Sequence, residues 1–238
     1  MSAVISIERI NGGLLELDGW GLASMFFTTD PSSVGMGSYD SLCGKTRLDQ
    51  FEIADIETLN RTMRARTAHD RWAPLIDTPL PWLQALDPQI DLLETEDAVW
   101  AQAHAEHAVL AALAAVVGPG RGVSVATKML HLKRPRLFPI LDRLVVEMLG
   151  GTLAEDAAPE IRARLAANLV LHVRAQGIRS LDPLREIQSQ LARLDLDRSL
   201  VRILDAILWL AHPAAGNTGA RRVLACRMEG IAPPIQGS

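Results

Sequence analysis

From Phe51 onward the apolar residues of this chain fall at three- and four-residue steps. In IADIETLNRTMRA they are Ile53, Ile56, Leu59 and Met63, a stripe that predicts a helix with one face on a core. DTPLPWLQALDPQIDLL is broken by Pro79, Pro81 and Pro88, so only short helical turns are expected there. Thr95 or Asp97 can cap a helix running through HAEHAVLAALAAVVG, which stops at Gly118 and Pro119. Val123 to Lys133 reads as the next helix, ended by Pro135 and Pro139. Asp142 opens another, closed by Gly150 and Gly151. Pro159 marks the first turn of a helix reaching Gln176, with Gly177 as its stop signal, and Asp182-Pro183 starts one through Leu194. Asp197 or Ser199 caps LVRILDAILWLAH, whose apolar residues cover several faces and predict a central position in the core.

The first 50 residues carry no such period. Asn11-Gly12 and Asp18-Gly19 are turn signals, consistent with a short hairpin or an irregular arm, and TTDPSSVGMGSYDSLCGK reads as a loop. The expected organisation is an arm or small hairpin over 1–38, one helical domain over 39–213 and a loose tail over 214–238. The fold class is all-α.

Composition sharpens this only a little. Aromatic residues make up 4% of the chain, so the core is built from Leu, Ala, Val and Ile, a mixture that favours helix over sheet. Cys43 and Cys226 are far apart and form no metal-type pair, which fits reduced thiols in a cytoplasmic protein. The apolar run Ala108–Val117 is too short to span a bilayer. A formal charge of −4 gives no global attraction to phosphate, so a nucleic-acid role needs a local basic face. Arg121, Lys128, Lys133, Arg134, Arg136 and Arg143 supply one in sequence, with Asp142 the single acid among them.

Two helices joined by a tight glycine turn leave the second helix's first N–H groups unpaired. Gly118, Gly120 and Gly122 permit close approach of a phosphate to those donors, and Arg121, Ser124 and Lys128 stand at or just beyond the turn. Asp142 has two readings, a helix N-cap and a reactive carboxylate.

This segment resembles the helix-hairpin-helix DNA glycosylases, in which a Gly-x-Gly hairpin is followed by a helix, a Pro-containing turn and an essential aspartate. Two registers fit. With Gly120-Arg121-Gly122 as the hairpin, Ala126 is the small residue where the helices cross, and Asp142 follows Gly120 by 22 positions, similar to the endonuclease III branch. With Gly118-Pro119-Gly120, Ser124 takes that place and PRLFPILD resembles the alkyladenine-type bacterial branch. Both select Asp142. The lysine nucleophile of bifunctional relatives falls on Ser124 or Gly122, neither of which forms a Schiff base, so the resemblance implies monofunctional chemistry. Asp142 would then activate water or stabilise the sugar cation left as the base departs. A base turned out of a DNA duplex needs an apolar, aromatic pocket, for which Trp72 and Trp209 are the first candidates beside Trp82 and Trp100. No cofactor and no metal is implied. His104 and His107 lie three apart, but no third ligand stands nearby.

A wider resemblance joins FEIADIETLN, ATKMLHLKRPRLFPILDRLV and SLVRILDAILWLAH. Together they are similar to a bacterial domain-of-unknown-function family, number 6308, from about Tyr39 to His212. Fold relatedness is implied, without an activity. Duplex DNA is the expected partner, with steep salt dependence if the basic face contacts phosphates. The alternatives are a non-catalytic nucleic-acid-binding module and a helical protein- or small-molecule-binding domain.

Overall fold

The architecture comes from a computed structural model that describes residues 3–28, 36–85 and 87–215. The expected tail beyond Ala215 and the segment 29–35 lie outside the described residues. Two strands, β1 (Val4–Glu8) and β2 (Leu14–Asp18), form an antiparallel hairpin with Val4 opposite Asp18 and Glu8 opposite Leu14. Ile5 and Ile7 on one face of β1 are fully buried. The outer edge of β1 is held by side chains of a helix and of the junction that follows it rather than by another strand. The Glu8 N–H donates to Gln176 Oε1 at 2.8 Å, His172 Nε2 donates to the Glu8 carbonyl at 2.9 Å, and Ser180 Oγ donates to the Ser6 carbonyl at 3.1 Å.

The rest is helical. In chain order the helices are α1 (Gly19–Thr28), α2 (Met36–Leu42), α3 (Ile53–Thr62), α4 (Pro81–Ala85), α5 (Asp97–Gln102), α6 (Ala105–Val116), α7 (Val123–Lys133), α8 (Arg143–Met148), α9 (Pro159–Arg179), α10 (Leu181–Ala192) and α11 (Leu200–Ala211). α6 packs along α9, while α11 is surrounded by α1, α8 and α10. One apolar cluster runs continuously from Ile5 and Leu22 through Leu113 and Leu130 to Leu204 and Ile207. The β-hairpin and α1 therefore share the core of the helical region. Among the described residues, no helix is long and apolar enough to cross a membrane.

Several helices start where local chemistry placed them. Pro159 sits in the first turn of α9, where its missing N–H costs nothing. Ser199 caps α11 by accepting from the Arg202 N–H at 3.2 Å, and ten of that helix's twelve residues are buried. Four expectations need correction. The Gly/Ser-rich segment expected as a loop contains α2, anchored by fully buried Tyr39. α1 forms across Gly19 and Gly21, because burial of Leu22, Ala23 and Phe27 outweighs the helix penalty of glycine. The helix expected from Thr95 or Asp97 to Gly118 is two helices, broken at His104, whose φ of 49° is left-handed. Gly177 does not stop α9. It lies inside the helix, where the bulk of Leu93 leaves no room for a methyl group.

Candidate functional site

The bend between α6 and α7 is a tight turn closed at both ends. The Arg121 N–H donates to the Gly118 carbonyl at 3.0 Å, and the Gly118 N–H to the Arg121 carbonyl at 3.0 Å. Pro119 and Gly120 occupy its corners, with Gly120 at φ 71°, the combination that a type II turn requires. A side chain on Gly120 would also meet Arg71, whose Cδ lies 2.6 Å from the site of a Cβ. Gly122 is the N-cap of α7, and nothing stands within 4 Å of where its Cβ would be. No side chain caps this end, so the first donors of α7 are left open beside Ser124. The helix, tight glycine turn and helix expected from the sequence are present in this order.

The inner face of α7 then fixes the segment that delivers Asp142. Thr127 Oγ1 donates to the Val123 carbonyl at 2.9 Å and accepts from the Leu141 N–H at 3.0 Å. His131 Nδ1 donates to the Phe138 carbonyl at 2.6 Å, which leaves Nε2 as the bare nitrogen of a fully buried ring. Burial also pushes that ring's pKa down to about 4, so it is neutral at physiological pH. With residues 138 and 141 tied to one helix, Asp142 emerges at the start of α8. It is half-buried, and its Oδ1 accepts from the Val145 N–H at 3.1 Å. The N-cap reading of Asp142 is thus realised, with Oδ2 left over.

Lys128 lies six residues, about 9 Å, along α7 from Gly122. Its backbone carbonyl accepts from Tyr39 Oη at 2.7 Å. Burial lowers the pKa of its ammonium group, opposed by the negative charges of Asp142 and Asp205. Asp205 joins the site from a distant helix. It sits on α11, 3% exposed, with Oδ2 2.5 Å from Arg202 Nη1 and Oδ1 without a partner. Burial raises its pKa to about 7, offset in part by Arg202. Arg202 in turn donates through Nε to Asp40 at 2.8 Å. A charged pair three residues apart inside the apolar sequence LVRILDAILWLAH was the available signal for this network.

Other expected site residues have different surroundings. The Arg121 guanidinium donates to the carbonyls of Val116, at 2.9 Å, and Arg71, and stands 5.8 Å from the Trp72 ring centre. Trp72, a candidate for a base pocket, is fully buried and donates to Thr67 Oγ1 at 2.9 Å, so it offers no face to a base. Trp209 is half-buried and meets Phe26 edge-on at 5.9 Å. The expected basic face is also largely consumed. Lys133 is fully buried against Asp55, Arg134 donates to the Leu83 carbonyl, and Arg136 pairs with Asp91 and Glu94. Lys128 remains, half-buried, while the exposed Arg143 stands 3.8 Å from Glu147 Oε1 one turn on. Among the described residues, no group of three or more His, Cys, Asp or Glu side chains is placed to hold a metal ion.

Fold and site together define a mostly helical protein with a glycine-turned helix pair and a half-buried aspartate, Asp142, capping the helix that follows. The chain belongs to the family of unknown function DUF6308, whose profile matches residues 21–212. No curated protein and no solved structure matches it.

Proposed function

We propose that the protein binds duplex DNA in the manner of helix-hairpin-helix proteins, with Asp142 directed at a deoxyribose as in a monofunctional DNA glycosylase. The observation that carries this reading is the uncapped start of α7 at Gly122, with the half-buried Asp142 held beyond the other end of that helix by the Thr127 and His131 contacts. Open peptide donors at a helix N-terminus suit a phosphate. Asp142 keeps one carboxylate oxygen beyond its capping bond, and its negative charge acts on the ammonium group of Lys128. No cofactor is needed for this chemistry.

The electrostatic footprint is small, because most of the basic residues in this segment are spent inside the protein. Binding to a duplex oligonucleotide is expected to show a log–log salt slope of roughly −2 to −4, the signature of a few phosphate contacts. The direct test is base release from duplexes carrying alkylated, deaminated or oxidised bases. Asp142→Asn keeps a capping oxygen and should abolish release while preserving affinity. Undiminished release by that variant would remove Asp142 from the mechanism.

The completed cap favours a second reading, a non-catalytic DNA-binding module in which Asp142 serves only α8. Duplex binding without release of any base in the panel selects that reading.

A further inference from the structure

A separate hollow lies between the α5–α6 break and the flank of α9. Its volume is about 790 Å³, ample for a small organic molecule. Trp100, Ala105, Leu110, Ala167 and Leu171 give it an apolar floor. Arg174 reinforces one wall. Its guanidinium lies 4.2 Å from the Trp100 ring centre, pairs with Asp97 at 2.6 Å, and donates to the Thr95 carbonyl at 2.9 Å.

The polar groups of this hollow come from both walls. Arg164 and Asn168 line it from α9, and His104 and His107 from the start of α6. Arg164 has no ion-pair or hydrogen-bond partner among the described residues. The indole nitrogen of Trp100, a residue only 4% exposed, also has no acceptor among them. Of the two wall carboxylates, Asp97 pairs with Arg174 and Glu106 has no ion-pair partner among the described residues. Arg164 is thus the cationic side chain of the lining without a partner among the described residues, which selects an anionic group, and the floor selects an occupant with an apolar body.

We infer that this hollow binds a small organic anion, its carboxylate, sulfonate or phosphate held by Arg164 and its apolar part resting against Trp100 and Leu110. The site stands apart from the α6–α7 bend and does not depend on the DNA-binding reading.

Anilinonaphthalene sulfonate is a suitable probe, with uncharged phenylnaphthylamine as the control for the same ring system. The full chain should bind the sulfonate saturably at one site per molecule. Arg164→Ala should weaken it about tenfold. Glu106→Gln should tighten it, because the one unpaired carboxylate on the wall is removed, and Asn168→Trp should block the hollow from its solvent side. All three positions are exposed, and cooperative unfolding of each variant shows that the fold is kept. Absence of saturable binding, indifference to Arg164→Ala, or equal affinity for phenylnaphthylamine would overturn the assignment. Weaker binding by Glu106→Gln would also overturn it, by showing that the wall carboxylate attracts rather than repels the anionic probe.

Discussion

Lys133 Nζ lies 2.6 Å from Asp55 Oδ2, with both side chains fully buried. The same carboxylate oxygen accepts from the Glu52 N–H at 2.7 Å, and the ammonium group also donates to Thr46 Oγ1 at 3.0 Å. The pair therefore locks α3 to the end of α7. Removing one partner strands a charge in a dry interior. Lys133→Ala should destabilise the protein by about 3–5 kcal/mol in denaturant unfolding. The double replacement Lys133→Met with Asp55→Leu should recover most of that loss. Duplex affinity should be unchanged in the folded double variant. A Lys133→Ala cost below about 1 kcal/mol, the range of exposed pairs, would show that the pair is not dry.

Arg121 makes a second prediction about a cation that looked free. Its two carbonyl contacts and its position by Trp72 staple the bend to the turn around residue 71. Arg121→Ala should cost roughly 1–3 kcal/mol, from lost hydrogen bonds and lost packing. The salt slope of duplex binding should not change, since no phosphate contact is lost. A slope reduced by about one unit would instead place Arg121 on the DNA backbone.

His131 and Asp205 tilt the pH dependence of stability in opposite directions. The histidine titrates near 4 when folded and near about 6.5 when unfolded, so its contribution is present above that window and lost as pH falls through it. The aspartate titrates near 7 when folded and about 3.9 when unfolded, so its contribution is present at low pH and lost as pH rises. Between about pH 4 and 6.5 the two slopes oppose each other. Relative to the parent, Asp205→Asn should gain stability with rising pH across this range, by at most about 1.4 kcal/mol per unit. His131→Asn should show the reverse tilt. Parallel stability–pH curves for all three proteins would refute both assignments.

Gly177 is constrained by packing rather than by backbone conformation. Leu93 fills the place a methyl group would take. Gly177→Ala, which would favour an isolated helix by about 1 kcal/mol, should here lower stability by roughly 1–3 kcal/mol. A higher melting temperature would mean that Leu93 yields without cost.

Features governed by neighbours in sequence were readable in advance. The bend at Gly120, the cap at Asp142, the proline start of α9 and the cap at Ser199 each depend on a few adjacent residues. What escaped depends on distant partners. Nothing near Lys133 reveals that Asp55, 78 positions away, will bury it (133 − 55). The same holds for Arg136 and its acidic partners Asp91 and Glu94. A run of basic residues therefore read as a surface for phosphate, although tertiary pairing takes most of it inward. Gly177 looked like a stop signal because the chain around it contains no trace of Leu93. The α2 helix was missed for a similar reason, since its polar sequence is held by Tyr39 against α7 and by Asp40 against Arg202.

The N-terminal hairpin has a consequence for solubility. A two-stranded ribbon ordinarily offers two rows of unsatisfied peptide groups to any passing extended chain. Here Gln176, His172 and Ser180 occupy one row, and the other belongs to β2, where Glu16 and Asp18 stand exposed. Strand-to-strand self-association through this ribbon is thus blocked on one side by side chains of α9 and of the α9–α10 junction and opposed on the other by like charge. Loss of the α9 side chains, rather than of the hairpin itself, is the change that would open a route to fibrils.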